Sequence, residues 1–187
     1  MIDYEIISDS IKFYSDKGFT RIESPWTVSK AVSGITKPKD KDFDFYLPSK
    51  NKVLVASGEQ SFLYLYLKGF LPKGRFSTIT PCFREESFDF LHTKYFIKNE
   101  LIITDTVNEK ELSKVIEDCL YFFSLYLPKN KLLYEKTEIG WDINYNYKGE
   151  HIELGSYGIR SCEYLDWIYA TGVAEPRLSR IVKLDKR

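Results

Sequence analysis

Apolar residues follow two different periods along this chain, and the switches between them set the expected order of elements. Residues 3–17, DYEIISDSIKFYSDK, place Ile6, Ile7, Ile11, Phe13 and Tyr14 on one helical stripe, with Gly18 as the stop. FTRIESPWTV reads as a strand, and Pro25 confines it to a sheet edge because proline has no N–H to give to a ladder. VSGITKPKDKDFDFYL is expected to be a loop followed by a short strand from Phe43 to Leu47. KVLVAS predicts a further short strand, and GEQSFLYLYLKGFL a helix beginning near Glu59. RFSTITPCFREES predicts a strand running into a polar loop, and HTKYFIKNELIITD the strand that returns beside it. NEKELSKVIEDCLYFFSLYL has the clearest helical pattern, with Asn108 as cap and Glu109 and Glu111 near the positive N-terminal end. GWDINYNYKG and EHIELGSYGIRS are two β-rich stretches joined at KGE. CEYLDWIYATG reads as a short helix or helical turn, and RLSRIVKL as a closing helix. An antiparallel sheet with a few flanking helices is an α+β architecture. No stretch reads as a linker, so residues 1–187 are expected to form a single domain.

Composition narrows the class. The 187 residues are 43% hydrophobic and 16% aromatic, enough for a sizeable core and far from the signature of disorder. Basic and acidic side chains cancel at 27 each, so no overall basic field draws in a nucleic acid, although EPRLSRIVKLDKR is locally basic. Cys82, Cys119 and Cys162 are widely spaced and odd in number, which fits neither a disulfide framework nor a paired zinc site and suggests a reducing cytoplasm. MIDYEIISDS lacks the features of a signal peptide, and no apolar run is long enough to span a membrane. GxxxxGK[ST] and GxSxG are both absent. His151 has no His or Cys partner at metal spacing, and Cys82 reads as a small buried hydrophobe.

The chemistry concentrates in TPCFREESFDFLHTKYFIKNE, residues 80–100. Arg84 and Glu86 lie two apart on a strand, so their side chains leave the same face. On the returning strand His92, Phe96 and Glu100 recur every fourth residue and also share a face. If the two strands pair, one surface carries a guanidinium, a carboxylate, an imidazole and a flat ring. That set suits a nucleotide: the guanidinium fork matches phosphate oxygens, the ring stacks on a base, and the carboxylate accepts from an exocyclic amine.

FREE, a loop, then HTKYFIKNE resembles motif 2 of the class II aminoacyl-tRNA synthetases. The resemblance implies that Arg84 contacts the α-phosphate of ATP and the substrate carboxylate, and that Glu86 accepts from the adenine amino group. It further implies that His92 reaches the outer phosphates and Phe96 stacks on adenine. KGFTRIESPWTV resembles motif 1, which implies a homodimer interface around Pro25. GVAEPRLSRIV resembles motif 3 with its glycine spacing reduced to Gly172; Arg177 matches the motif arginine, and Arg180 competes for the role. IELGSYGIRS is similar to the strand before motif 3 in the aspartyl and asparaginyl branch and in the ammonia-dependent asparagine synthetase. That match implies Mg²⁺ held by Glu153 with help from Ser156, and Arg160 directed at the substrate side chain. SGEQSF lies where the family holds the substrate's α-ammonium, which makes Glu59 and Gln60 candidates; a helix cap at Ser57 explains the same letters.

The function these resemblances imply is ATP-dependent activation of an amino acid or related carboxylate as an acyl-adenylate, with Arg84 and Arg177 catalytic. The acceptor of the acyl group, whether tRNA, ammonia or a carrier protein, is left open. A catalytically silent paralogue that senses an amino acid or nucleotide is the alternative. The resemblance runs from about residue 8 to residue 184, which leaves almost no room for an anticodon-binding or editing domain.

Overall fold

A computed structural model of the chain describes residues 1–37, 44–48, 51–85, 89–91 and 93–186. In chain order the elements are α1 (Tyr4–Asp16), β1 (Thr20–Arg21), β2 (Thr27–Ser29), α2 (Lys30–Thr36), β3 (Tyr46–Leu47), β4 (Lys52–Leu54) and α3 (Gly58–Leu67). They continue as β5 (Arg75–Phe83), β6 (Tyr95–Ile103), α4 (Glu109–Phe123), β7 (Leu132–Lys136), β8 (Trp141–Tyr147), β9 (Glu150–Cys162), β10 (Leu165–Glu175) and α5 (Arg177–Asp185). Seven strands form the main sheet in the order β1-β5-β6-β10-β9-β8-β7, and β2-β4-β3 form a small second one. Among the described residues only β1 lies parallel to its neighbour, β5. The α+β architecture read from the pattern is the architecture observed.

One face of the main sheet is covered by helices. Leu101, Ile143, Leu154, Ile168 and Val173 of the strands meet Ile6, Ile7 and Tyr14 of α1 and Leu178 and Ile181 of α5. From α4, Leu112, Val115, Ile116, Cys119, Phe122 and Phe123 complete this core. Each such side chain taken fully out of water stabilises the fold by about 1.5–3 kcal/mol. The Asn108 side chain caps α4 by accepting from the Glu111 N–H at 2.9 Å. The opposite face is apolar only at one end, where Phe76, Ile102, Leu165, Trp167 and Tyr169 pack with Val28, Val53 and Phe62. Its remaining surface is polar, and there the chemistry collects.

Three expectations are corrected. CEYLDWIYATG is no helix: Cys162 ends β9, and Leu165 begins β10, the central strand of the seven. β10 is buried on both faces except at Asp166, so the period-2 alternation that marks a strand is erased and its letters read equally well as a helical turn. FTRIESPWTV is two strands in two sheets, broken around Pro25; both sit at sheet edges, where proline costs no ladder bond. The loop expected from Val32 instead begins inside helix α2, Lys30–Thr36, which is capped by Ser29. The strand expected from Phe43 to Leu47 is observed as Tyr46–Leu47, with Phe43 outside the described residues.

Candidate active site

β5 and β6 pair in register, with Cys82 opposite Phe96, Thr80 opposite Lys98 and Thr78 opposite Glu100. Side chains two apart share a face, so Phe96, Lys98 and Glu100 project together from the polar side. Arg84 continues the alternation two residues beyond Cys82, and its N–H bonds to the Lys94 carbonyl at 2.9 Å, extending the hairpin past the strand end. Its Nε donates to the Ala56 carbonyl at 3.2 Å, and its guanidinium lies 5.2 Å from the centre of the Phe96 ring. The expectation that Arg84 and Phe96 meet on one face is therefore observed. Glu86 and His92, the other two residues assigned to the nucleotide from this hairpin, lie outside the described residues.

The β8, β9 and β10 strands bring a second group to the same face. Glu100 pairs in register with Thr171 of β10, Tyr169 with Gly158 of β9, and Trp167 with Arg160. Farther along β9, Ser156 stands opposite Asp142 and Glu153 opposite Asn144. Arg177, the first residue of α5, reaches back across the sheet: its Nη1 donates to the Glu153 carbonyl at 3.1 Å and lies 3.3 Å from the Glu153 carboxylate. The result is a cleft walled by Arg84, Phe96, Glu153 and Arg177. It is narrow, about 40 Å³, and Arg177 and Glu153 meet in its wall. Arg180 turns the other way, donating to the Phe90 carbonyl at 2.6 Å. Gly172 permits the bulge in β10 beside this cleft: a Cβ there would fall 2.7 Å from the Tyr14 ring and 2.9 Å from the Asn99 carbonyl.

Through Arg84, Lys98, Glu153 and Thr171 the cleft adjoins a larger cavity of about 340 Å³ that also touches Glu59, Gln60, Glu100 and Arg160. Glu59 is fully engaged there. Its carboxylate accepts from Arg160 Nη1 at 2.5 Å and from Trp167 Nε1 at 2.6 Å. Burial raises the Glu59 carboxyl above its ordinary value against the pull of Arg160. Burial also works against the charge of Arg160, and the adjacent Glu59 overcomes this and holds the guanidinium above its usual value. Arg160 further stacks over the Tyr169 ring at 4.1 Å. Gln60 accepts from the Ala56 N–H at 2.9 Å and donates to Ser33. Ser57 sits at the N-cap position of α3 without making a capping bond; Glu100 takes that role by accepting from the Gly58 N–H at 3.1 Å. Glu100 also pairs with Lys98 at 3.1 Å, and both side chains are buried.

Two residues at this site were missed by sequence reasoning. Lys98 lies between Phe96 and Glu100 on the same face, and the alternation that selected its neighbours would have found it. Asp142 belongs to the polar face of WDINYNY, again by alternation. Its carboxyl is raised by burial and then by the charge of Glu153, with a Ser156 hydrogen bond pulling the other way. Glu153 and Asp142, with Ser156 opposite Asp142, offer hard oxygen donors of the kind Mg²⁺ takes. No group of three or more His, Cys, Asp or Glu converges as a complete metal cage among the described residues. Mg²⁺ bound mainly through phosphate and water oxygens needs only one or two carboxylates. Elsewhere, burial pushes the Cys82 thiol up to about 12, which leaves it unreactive. His151 pairs with Glu135 at the surface.

No protein-family model and no curated protein sequence matches the chain. Solved structures do. The pyrrolysyl-tRNA synthetase from Desulfitobacterium hafniense superposes with a TM-score of 0.73 at 20% identity, over 96% of this chain and 69% of that one. The seryl-tRNA synthetase from Pyrococcus horikoshii, complexed with ATP, gives 0.74 at 17% identity, over 96% and 49%. The cytoplasmic serine-tRNA ligase from Naegleria fowleri, in complex with AMP, gives 0.71 at 16% identity, over 94% and 46%. The chain thus has the fold of a class II aminoacyl-tRNA synthetase catalytic core and spans about half the length of the seryl proteins.

Proposed function

We propose that this protein activates an amino acid or a related carboxylate with ATP, forming an acyl-adenylate and releasing pyrophosphate. The observation that carries the reading is the convergence of Arg84, Phe96, Glu153 and Arg177 on one cleft that opens, past Arg84, into a second polar cavity. A reaction between two bound molecules needs two adjoining sites with a cation at their junction. Nucleotide in the cleft stacks its base on Phe96, and Arg177 exchanges its contact with Glu153 for phosphate oxygens. Arg84 lies between the α-phosphate and the substrate carboxylate. A carboxylate oxygen attacks the α-phosphorus, the bond from phosphorus to the bridging oxygen breaks, and pyrophosphate leaves with the electron pair. No protein nucleophile takes part; the chain supplies orientation and positive charge where charge builds up. Glu153, Ser156 and Asp142 would hold Mg²⁺, which neutralises phosphate charge when bound. Glu86 and His92 remain in the reading as contacts to adenine and the outer phosphates.

A homodimer through the motif 1-like region belongs to the same proposal; Trp26 of that region, 58% exposed, supplies apolar surface for it. So does a cytoplasmic setting, in which tRNA or a protein accepts the acyl group.

The direct test is carboxylate-dependent exchange of labelled pyrophosphate into ATP across a panel of amino acids and related acids. Exchange with one of them establishes activation. Tight ATP binding with no exchange from any acid would instead identify a silent nucleotide-binding paralogue. Phe96→Ala should raise the KM for ATP about ten- to hundredfold, since a base–aromatic stack contributes roughly 1–3 kcal/mol. An unchanged KM would remove Phe96 from the base site.

A further inference from the structure

Helix α5 carries Arg177 as its first residue, so where that helix starts decides where the guanidinium can reach. The preceding residue, Pro176, has no side-chain oxygen and makes no capping bond. Glu175 does the capping instead. Its Oε1 accepts at 2.8 Å from the Ser179 N–H, one of the first-turn donors that has no partner within the helix. Its Oε2 accepts from the Asp3 N–H at 3.0 Å. Asp3 in turn caps α1, accepting from the Glu5 and Ile6 N–H groups. One fully buried carboxylate therefore ties together the starts of two helices from opposite ends of the chain. These backbone N–H groups sit at the positive ends of the helices, which suits a negative charge. The far end of α5 is secured separately: Asp185 accepts from Lys131 at 2.6 Å and from Tyr145. Leu178 and Ile181 anchor the middle of the helix in the core. Loss of the Glu175 bonds thus frees the end that bears Arg177, while the rest of α5 stays in place. Glu175, Pro176 and Arg177 all line the cleft, and Arg177 crosses to the Glu153 carbonyl at 3.1 Å.

We infer that Glu175 is a positioning residue for the nucleotide site: it sets Arg177 in the cleft by fixing the start of α5 and joining it to α1. Glu175 touches no reacting group, and its effect passes through Arg177. The inference rests on the adenylating reading for what Arg177 does, but the placement of that arginine is a structural property that can be observed without turnover. A carboxylate is needed here rather than an amide, because two N–H donors meet its two oxygens. In Glu175→Gln one of those donors faces an amide N–H, and one bond is lost.

The experiment is a double-mutant cycle on the full chain. ATP affinity by isothermal titration and Tm are measured for wild type, Glu175→Gln, Arg177→Ala and the double variant. Glu175→Gln is expected to weaken ATP binding about tenfold when Arg177 is present and less than about twofold when it is absent, because residues acting through one another are not additive. Its Tm should fall in both backgrounds. An equal loss of affinity in both backgrounds, or none in either, overturns the inference, since Glu175 would then serve the fold alone. Crystal structures of wild type and Glu175→Gln without nucleotide give a readout independent of the adenylating reading. The Arg177 guanidinium is expected to leave the Glu153 carbonyl in the variant, and an unmoved guanidinium overturns the inference. A wild-type protein that binds no ATP removes the adenylating reading, and the crystal structures then decide the inference alone. If Glu175→Gln does not fold, Glu175→Asp takes its place in the cycle and in the crystals. It keeps the charge and shortens the reach, so the two N–H groups cannot both stay bonded.

Discussion

Arg84→Ala is expected to lower the kcat/KM of carboxylate-dependent pyrophosphate exchange by about 10²–10³-fold, the effect of removing one donor aimed at transition-state charge. Arg84 stands where the cleft and the larger cavity meet, and its guanidinium is braced by the Ala56 carbonyl and the Phe96 ring. A group held this firmly costs no reorganisation when charge develops on the α-phosphoryl oxygens. Arg84→Lys keeps the charge and loses the planar fork, so most of the loss should persist. Exchange kinetics alongside circular dichroism make the check. A fully active Arg84→Ala protein would remove this arginine from the chemistry and with it the junction that the mechanism needs.

Glu59→Ala is expected to destabilise the fold by about 3–5 kcal/mol, because it strands the partner of a buried ion pair. That corresponds to a fall in Tm of roughly 10 °C for a chain of this size. The Glu59 side chain is 5% exposed and Arg160 27%, so water replaces little of what is lost. Trp167 also loses the acceptor for its indole N–H. Glu59→Gln keeps that acceptor and removes the charge, so it should fall between the two. Thermal and urea unfolding measure the series. The outcome also decides what Glu59 is for: a side chain that served only to hold substrate would change KM on removal and leave Tm in place.

The residues that could be read together in advance are those whose relation is local. Arg84, Phe96 and Glu100 belong to one hairpin, and strand alternation alone fixes which side they take. α1 and α4 were legible for the same reason, since their apolar stripes and the Asn108 cap lie within one segment. The motif resemblances extended this to Glu153 and Arg177, and the two are in contact. Glu59 shows where such reading stops. Its letters fit a substrate ligand and a helix-capping turn equally, and neither includes Arg160, 101 residues away, or Trp167.

From its letters alone this chain determined an α+β fold, most of its helices and strands, and that Arg84, Phe96 and Glu100 share one face of a hairpin. Each of these follows from the geometry of neighbouring residues. Only the tertiary structure decided that Leu165–Glu175 is the central strand of the sheet, that Asp142 stands opposite Ser156 on the strand that also carries Glu153, and that Lys98 and Arg160 pair with Glu100 and Glu59. Burial on both faces hides a strand's period, and the charge state of a cavity is set by contacts between segments far apart in the chain.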